Sequence, residues 1–549
     1  MTPRAAQVYP AGAQEAAPGP DRHFPAWALG AAIALAIVVL FVAYWRLSWS
    51  VPANSDSASA VLQAQDLLHG NWLLHGWYVS DVSFYTTELP QYALLGAMFG
   101  FGAGLVHIAA AMTYTLIVVL VALVAKGRGR GREGLIRALI AGAIVAAPQT
   151  SAALILLLGP DHTGSVIPAL LAYLLIDRAP PRWWVPTLAG LILAVGMTAD
   201  PVVALTACAP LAVAAVLRAL RPGHASRWYE LSVGLAAAVA GLVGWLIPGL
   251  VQSMSGFHVY HPNNRTVPLS YLPHGLWHTF QAVLEFLGAN PFSSSTFGSS
   301  HGLELVIIWV HLAGLVLGVI GLGLALWRYL HADTLIVPAM ATAILIQFAG
   351  FLHSIHATNL ESIREISAVG PLGAVLAARA VAPWLDRRLA EWRPSGRRVS
   401  LAPVLGVAVL GIVVLGYGAG FVYDAAQRAV PSGNQELTDF LQAHHLTDGL
   451  ASYWEAGSVT MDSGGQVLVS GVTGGSRWAR PYYWETQRSQ YDPADHYATF
   501  IVTGGPKTDV PIPGLEHGAI ATFGRPARVY QLDSFTILVY DKNLLRHFR

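Results

Sequence analysis

Apolar runs of about twenty residues recur along this chain from Trp27 to Phe421. A helix of that length crosses the hydrocarbon core of a bilayer, which is roughly 30 Å thick. Only 11% of the 549 residues are charged, against roughly 25% in an average soluble protein, so the chain cannot solvate its whole surface. Because a segment in lipid must satisfy its own backbone hydrogen bonds, the runs predict a mainly α fold, a polytopic helical membrane bundle.

The runs predict about eleven transmembrane helices. We place them at 27–47, 92–124, 135–158, 163–176, 184–199, 201–217, 229–251, 303–327, 334–353, 366–383 and 401–421. The first run is longer than the core of a signal peptide and no small-residue cleavage motif follows it, so we expect a retained span. Residues 1–26, rich in Ala, Pro and Gly, are typical of a disordered tail.

The distribution of Lys and Arg predicts the orientation, because cytoplasmic loops carry the excess. With a cytoplasmic N-terminus, nineteen of these residues fall in inside segments, and the short outside segments keep only Arg46, Arg265 and Arg364. We therefore expect a cytoplasmic tail at 1–26, a transmembrane domain at 27–423 with large outside loops 48–91 and 252–302, and an extracytoplasmic domain at 424–549.

The C-terminal part predicts a small α/β domain. A helical pattern covers 434–445, and strand-like stretches cover 466–472, 498–502, 527–532 and 534–540. The domain also has an aromatic cluster that suits either carbohydrate contact or ordinary packing of a small domain: Tyr453, Trp454, Trp478, Tyr482, Tyr483, Trp484 and Tyr491. No internal repeat is evident, which weakens an inverted-repeat transporter interpretation. Cys208 is the only cysteine, so the chain forms no intrachain disulfide and its sequence suggests no cysteine-ligated metal.

The first outside loop begins Asn54-Ser55-Asp56-Ser57 and continues with apolar residues at helical spacing. Ser55 or Ser57 can cap this helix, which we expect to lie on the membrane surface with Asp56 at its N-terminus. The plainer alternative is that Asp56 only caps the helix. The rest of the loop is dense in aromatic, amide, histidine and carboxylate side chains, which suits either a sugar or lipid headgroup site or an interfacial aromatic belt.

The loop as a whole resembles the GT-C superfamily of integral membrane glycosyltransferases. The resemblance rests on the first span, the 54–57 motif, the helix ending in Asp66-Leu67-Leu68-His69-Gly70-Asn71, and the segment from Ser83 to Pro90. It is nearest to bacterial protein O-mannosyltransferases and lipid A aminoarabinose transferases, and it implies a polyprenyl-phosphate-sugar donor. Asp56 matches the essential loop-one acid, implied to be the general base. Many members carry two acids there, whereas Ser57 follows Asp56 here, so the roles of base and metal ligand both stay open.

Further candidates lie on the same predicted face. Asp161 and His162 precede a helix, where free N–H groups favour phosphate oxygens, although Asp161 also suits an ordinary turn. The resemblance implies a second acid that sometimes binds a divalent cation, Mg or Mn, and Asp161, Asp81 and Glu88 are the candidates. The predicted substrate-binding residues are His75, Trp77, Tyr85 and Glu361.

Arg364 lies in a polar loop, 354–365, on a face that otherwise has few cations. A guanidinium binds phosphate through a two-pronged fork, which predicts a clamp for the donor phosphate together with His162. The alternative is a salt bridge to Glu361 or Glu365. The histidines of loop 252–302, among them His258, His261, His274 and His278, suit either a metal site or an acceptor cleft.

The sequence therefore predicts a glycosyltransferase, hexosyl or pentosyl, that moves a sugar from a polyprenyl-phosphate carrier to an extracytoplasmic glycan, lipid or protein. Direct displacement by an acceptor that Asp56 deprotonates would invert the anomeric centre. No nucleotide-binding G-x-x-x-x-G-K-[ST] loop is present, and a net charge of +1 gives no reason to expect nucleic acid. The alternatives are a transporter or flippase of a lipid-linked precursor and a non-catalytic envelope scaffold.

Overall fold

The described part of the chain is mostly helical and ends in a β-sheet domain. The computed structural model describes residues 26–148, 150–260, 266–292, 302–354, 361–391, 401–505 and 512–548. The predicted tail lies outside these residues, except for Ala26. The chain divides into a short unit, residues 1–39, and a large unit, residues 40–549. The described part of the short unit is helical, and the loops, sheets and cavities belong to the large unit.

The helices are bounded as follows. They are α1 Ala26–Ser48, α2 Ser55–Leu68, α3 Glu88–Phe99, α4 Ala103–Lys126, α5 Gly131–Ala146, α6 Thr150–Leu156, α7 Val166–Arg178, α8 Trp184–Ala199, α9 Ala209–Ala219, α10 Arg227–Ser253, α11 Leu272–Phe286, α12 Gly302–Trp327, α13 Ile336–His353, α14 Val369–Glu391, α15 Leu401–Ala425, α16 Gln435–Ala443, α17 Tyr453–Asp462 and α18 Leu515–Phe523. A π-helical turn, Ala204–Cys208, leads into α9.

Within the described residues, five helices are long and apolar enough to cross a membrane. They are Trp27–Ser48, Ala103–Lys126, Arg227–Ser253, Gly302–Trp327 and Ile336–His353. Shorter apolar helices cover Trp184–Ala199, Ala204–Ala219 and Gly411–Ala425. The membrane-helix architecture follows from these segments, while the count of about eleven spans and the orientation of the termini stay predictions.

Two of the predicted spans are each broken into two helices. The run 92–124 divides into α3 and α4 at Gly100 and Gly102, whose φ angles of +86° and +156° interrupt the helix. The run 135–158 divides into α5 and α6 because Pro148 disfavours helical backbone at Ala147, whose φ and ψ are −113° and 80°. The first break brings the end of loop one against the bundle.

Helix α14 is the central helix of the bundle. It packs against α4, α5, α12, α13 and α15. The approach of α12 is close, because a Cβ added at Gly321 would meet the backbone of Leu376 and Ala377 at 2.5–2.6 Å. Small residues allow such backbone contact between membrane helices. A 3₁₀ turn, Glu361–Ile366, precedes α14 and carries Arg364.

The C-terminal domain has a six-stranded mixed sheet, which bears out the predicted α/β architecture. The strands are β3 Asp448–Ala451, β4 Leu468–Gly475, β5 Trp478–Pro481, β7 Phe500–Gly504, β8 Arg528–Leu532 and β9 Phe535–Val539, in the order β5-β4-β3-β7-β9-β8. The four predicted strands and the first helix are present with small shifts at their ends. Strands β3 and β5 are additional, and β3 pairs in parallel with both β4 and β7.

A second, small sheet joins three distant segments. Strand β1, Trp77–Val79 of loop one, pairs in parallel with β2, His258–Val259, and antiparallel with β6, Thr486–Gln487. Loop one, the loop after α10 and the C-terminal domain are therefore hydrogen-bonded to one another. This sheet fixes how the C-terminal domain meets the membrane-side loops.

Candidate active site

A cavity of about 420 Å³ lies where the C-terminal domain meets the loops of the bundle. Loop one contributes Asp56, Asp81 and Phe84 to its wall, among others. The segment before α7 contributes Asp161 and His162, and the 3₁₀ turn before α14 contributes Arg364. The C-terminal domain adds Tyr453, Trp454, Tyr482, Trp484 and Glu485. The cavity therefore joins residues from four separate parts of the chain.

Asp56 lies in the first turn of α2, where a carboxylate is favoured by the helix dipole. The N-cap is Asn54 rather than Ser55 or Ser57. The Asn54 side chain accepts from the Ser57 N–H at 3.1 Å, and the Ser57 hydroxyl accepts from the Asn54 N–H. Asp56 is thus free of the capping role, and its side chain is 25% exposed at the cavity wall. The interpretation of Asp56 as merely a cap does not fit this geometry.

Tyr453 connects Asp56 to a second carboxylate. Its hydroxyl is within hydrogen-bonding distance of Asp56 Oδ1 and lies 2.5 Å from Glu485 Oε2. Tyr453 begins α17 directly after β3, and the carboxyl ends of parallel strands are where α/β domains place their ligand sites. Ser55 fixes this contact, since its hydroxyl donates to the backbone oxygen of Trp454 at 2.8 Å.

The two short contacts of the Tyr453 hydroxyl, to Asp56 and to Glu485, need two hydrogens if both are hydrogen bonds. A phenol has one hydrogen, so it can donate to only one carboxylate at a time. Burial, and then the charge of Asp56, raises the pKa of Glu485 well above its ordinary range. Burial also raises the pKa of Asp56, but the Tyr453 hydrogen bond and the Arg364 charge oppose that rise. The arrangement therefore favours a proton on Glu485, a bond from Tyr453 to Asp56, and an ionised Asp56.

Arg364 lies between two acids of the cavity. Its Nη1 is 3.9 Å from Asp56 Oδ2 and 3.6 Å from Asp161 Oδ2. Both distances exceed a normal hydrogen bond, and the side chain is 45% exposed, so N–H groups remain available to a ligand. The charge of Asp161, reinforced by Asp56 and opposed by desolvation, raises the pKa of Arg364. The guanidinium is thus a permanent cation beside the candidate base.

His162 is engaged at both ring nitrogens. Its Nδ1 lies 2.9 Å from Asp200 Oδ2 and its Nε2 lies 3.2 Å from Glu365 Oε2. Burial lowers the pKa of His162, but the two carboxylates outweigh it and hold the pKa well above the usual histidine value. The imidazolium therefore bridges the segment before α7, the turn after α8 and the segment before α14. A phosphate could reach it only by displacing one of these carboxylates.

Comparison with known proteins gives matches to solved structures. No family model matches the sequence, and no curated protein matches it. Solved structures of the Archaeoglobus fulgidus oligosaccharyltransferase do match. The form tethered to an acceptor peptide with the NVT sequon is 13% identical, with a TM-score of 0.46 over 87% of this chain and 70% of that chain.

Two further structures of that protein give similar values. The apo form is 13% identical, with a TM-score of 0.47 over 86% of this chain and 69% of that chain. The AglB complex with an inhibitory peptide and a dolichol-phosphate is 12% identical, with a TM-score of 0.45 over 87% and 70%. At these identities and TM-scores the similarity assigns neither a family nor a function to this chain.

The described residues do not form a metal site as they stand. Among the described residues there is no group of three or more His, Cys, Asp or Glu side chains placed to hold an ion. Arg364 lies between Asp56 and Asp161, where a cation bound by both acids would have to be. The divalent cation stays a prediction, and no catalytic step below depends on one.

Several predicted site residues lie away from the cavity. His75 contacts the backbone oxygen of Ser255, Trp77 is buried with its indole N–H on Asp66, and the Tyr85 hydroxyl donates to the backbone oxygen of Trp72. Glu88 is buried beside Thr87, and burial raises its pKa to about 7. The side chain of Glu361 lies outside the described residues.

The predicted histidine pairs and aromatic cluster are only partly at the cavity. His274 and His278 contact each other through their Nε2 atoms at 2.7 Å on α11, and neither lines the cavity. His258 stacks on Tyr78 instead, and His261 lies outside the described residues. Of the aromatic side chains noted in the C-terminal domain, Tyr453, Trp454, Tyr482 and Trp484 line the cavity, whereas Trp478, Tyr483 and Tyr491 do not.

Glu485 is the functional candidate that the sequence interpretation missed, and Tyr453 entered it only as one aromatic residue among several. One signal pointed to Glu485: it is the single acid directly after Tyr482-Tyr483-Trp484. Its backbone φ is +46°, and Phe84 across the cavity has φ +50°. Residues other than glycine rarely adopt such angles, and they concentrate at functional sites.

The raised pKa of Glu485 predicts a pH-dependent stability that Glu485→Gln should remove. An acid whose pKa is higher in the folded than in the unfolded chain contributes stability at low pH and loses it as pH rises through the folded value. From the ordinary glutamate pKa of about 4.3 upward, the wild-type unfolding temperature should therefore fall more steeply than that of the variant. Tryptophan fluorescence of the detergent-solubilised protein measures both curves. Parallel curves would show that Glu485 ionises normally.

Proposed function

We propose that this chain is an inverting membrane glycosyltransferase that moves a sugar from a polyprenyl-phosphate carrier to an acceptor hydroxyl. The observation that carries the proposal is the placement of Asp56 and Arg364 on one cavity, 3.9 Å apart. One is a carboxylate that can accept a proton, and the other is a cation that can bind a phosphate. A glycosyl transfer from a lipid phosphate needs both groups within reach of one anomeric carbon.

Asp56 is the proposed general base. Its carboxylate takes the proton of the acceptor hydroxyl as the acceptor oxygen attacks the anomeric carbon. Tyr453 is a positioning residue, because its hydroxyl bonds the Oδ1 atom of Asp56 and leaves Oδ2 facing Arg364 and the cavity. Protonated Glu485 fixes Tyr453 in turn. This chain of bonds holds Asp56 in one orientation.

Arg364 is the proposed clamp on the leaving group. As the new bond forms on one side of the anomeric carbon, the bond to the carrier phosphate breaks on the other, and the phosphate oxygen keeps the electron pair. The guanidinium stabilises this growing negative charge. Attack and departure on opposite faces invert the anomeric centre. Asp161 positions Arg364, because its Oδ2 atom lies 3.6 Å from the same Nη1 atom that faces Asp56.

The cavity also suits a carbohydrate. Trp454, Tyr482 and Trp484 provide aromatic faces in the wall from the C-terminal domain, and such faces stack on the apolar faces of sugars. The volume of about 420 Å³ is within the range of small-molecule pockets, roughly 300–1,000 Å³. We propose that the donor phosphate lies near Arg364 and the sugar near these aromatic residues, on the extracytoplasmic side of the cell membrane.

A panel experiment tests the class of reaction. Membranes that contain the protein are supplied with radiolabelled polyprenyl-phosphate hexoses and pentoses, and label that leaves the lipid fraction is measured against membranes from cells without the gene. The proposal predicts transfer from at least one donor. A transporter or flippase would move the donor and leave it intact, and a scaffold would leave it where it is.

Removing one hydroxyl should weaken catalysis without changing the shape of the site. Tyr453→Phe deletes the bond to ionised Asp56, and bonds to charged groups contribute roughly 1.5–3 kcal/mol, so kcat/KM should fall about ten- to a hundredfold. Tyr483→Phe is the matched control, since Tyr483 does not line the cavity. Equal activity in the two variants would refute the positioning role of Tyr453.

A further inference from the structure

A second cavity, of about 430 Å³, lies towards the other end of α14 from Arg364. Arg364 precedes α14, whereas Arg379 lies near the middle of this helix and Arg387 lies near its end. The end of α12, the start of α5 and the segment between α12 and α13 complete the wall and contribute Arg328 and Arg137. Four arginines thus line one cavity that has no part in the proposed transfer reaction.

Two of the four arginines are paired inside the protein and two are not. Arg137 pairs with Glu133, and Arg379 pairs with Asp177 at 2.6 Å. Arg328 and Arg387 are exposed, and no carboxylate of the described residues pairs with either. Asp333 is the only acid that the described residues contribute to the cavity wall. The cavity therefore carries an excess of positive charge.

Three buried donors in this wall have no partner within the described chain. They are Nε of Arg137, Nε of Arg379 and the hydroxyl of Thr334. Buried polar atoms are nearly always hydrogen-bonded in folded proteins. All three need an acceptor, and the three residues line the same cavity. An anion with several oxygens would supply acceptors on the side where the charge is already positive.

The rest of the wall is apolar. Leu324, Val337, Leu376 and Pro383 contribute to it. Trp327 ends α12 with 79% of its surface exposed, and tryptophan is enriched where membrane helices meet the headgroup layer. A ligand that fits must be anionic at one end and apolar at the other.

We infer that this cavity binds the phosphate headgroup of an anionic glycerophospholipid, with the start of its acyl chains on the apolar wall. The charge bias predicts this end of the bundle on the cytoplasmic side, where anionic lipids gather and attract basic residues. The site is separate from the cavity at Asp56, and its assignment does not depend on the proposed function.

Lipid titration of the purified full-length protein tests the site. Dioctanoyl phosphatidylglycerol, dioctanoyl phosphatidylcholine and glycerol 3-phosphate are each added to protein in neutral detergent, and binding is followed by the shift of the unfolding temperature. We expect a saturable shift with phosphatidylglycerol alone. Arg328→Gln with Arg387→Gln should weaken it about thirtyfold, since each arginine near a headgroup contributes roughly 1 kcal/mol.

The control variants distinguish a specific lipid-binding site from a general effect of positive surface charge. Arg130→Gln with Arg182→Gln removes the same charge from exposed residues outside the cavity and should leave binding unchanged. Thr334→Val keeps every arginine and should weaken binding about tenfold. Equal binding of phosphatidylcholine, or equal loss in both arginine pairs, would overturn the site. Equal affinity for glycerol 3-phosphate would refute a lipid as the ligand and would show that the cavity binds a soluble anion.

Discussion

Replacing Asp56 with asparagine is expected to lower kcat/KM for sugar transfer by at least about a hundredfold, because general bases typically contribute 10²- to 10⁴-fold. Asparagine keeps the size and polarity of the side chain but cannot accept the acceptor proton. The unfolding temperature should change little, since the helix cap is Asn54 and not Asp56. Transfer is measured with whichever radiolabelled donor the wild type uses.

The matched control for Asp56 is Asp439→Asn. Asp439 is an exposed acid on α16 and does not line the cavity. It should keep wild-type activity. Retained activity in Asp56→Asn, with normal abundance, would show that another group takes the proton. The sugar-transfer class could then survive, but the assignment of the base would not.

Arg364→Gln is expected to lower kcat/KM by about 10²- to 10³-fold, the cost typical of losing one group that stabilises developing charge. It should also change the pH profile. The Arg364 charge lowers the pKa of Asp56, so its removal should raise that pKa and move the acid limb of kcat/KM to higher pH. A residue that only braced the fold would reduce activity without this shift.

Two comparison variants separate the charge of Arg364 from its planar shape and from the general loss of one arginine. Arg364→Lys keeps a positive charge without the planar fork, so it should restore the pH profile and only part of the activity. Arg528→Gln, on the exposed strand β8, removes one arginine elsewhere and should change neither. An unshifted pH profile in Arg364→Gln would contradict the coupling of Arg364 to Asp56.

The candidate site was partly predictable because five of its residues follow local rules. Asp56 begins a helix after the first span, Asp161 and His162 occupy a turn, Asp81 lies in the same loop as Asp56, and Arg364 stands out against the charge bias. The structure brings all five to one cavity. Their individual roles stay predictions that the variants above test.

Tyr453 and Glu485 were not predictable as partners of Asp56. Their positions depend on pairing between strands β1 and β6 and on the packing of α2 against α17, and both involve segments roughly 400 residues apart in sequence. No local pattern encodes such a contact. Trp77 is the opposite case, a residue predicted at the site that lies elsewhere. Its position in an aromatic loop indicated a substrate contact, but its side chain is buried on β1.

The helices were predictable where the apolar runs were long. The prediction was wrong where the backbone interrupts a run. The long apolar runs became helices, but Gly100 and Gly102 divided one predicted span and Pro148 divided another. Strand β3 was missed because its four residues, Asp448-Gly449-Leu450-Ala451, do not alternate between apolar and polar. It lies between two parallel neighbours, where strands need no alternation.

The most direct test follows both halves of the donor. A polyprenyl-phosphate sugar labelled separately in the sugar and in the lipid is incorporated with purified protein into liposomes that contain the acceptor outside. A glycosyltransferase should release polyprenyl phosphate and form glycosylated acceptor in equal amounts, and Asp56→Asn should form both products at least about a hundredfold more slowly. Donor that crosses the bilayer with both labels still joined would contradict transfer and favour a flippase.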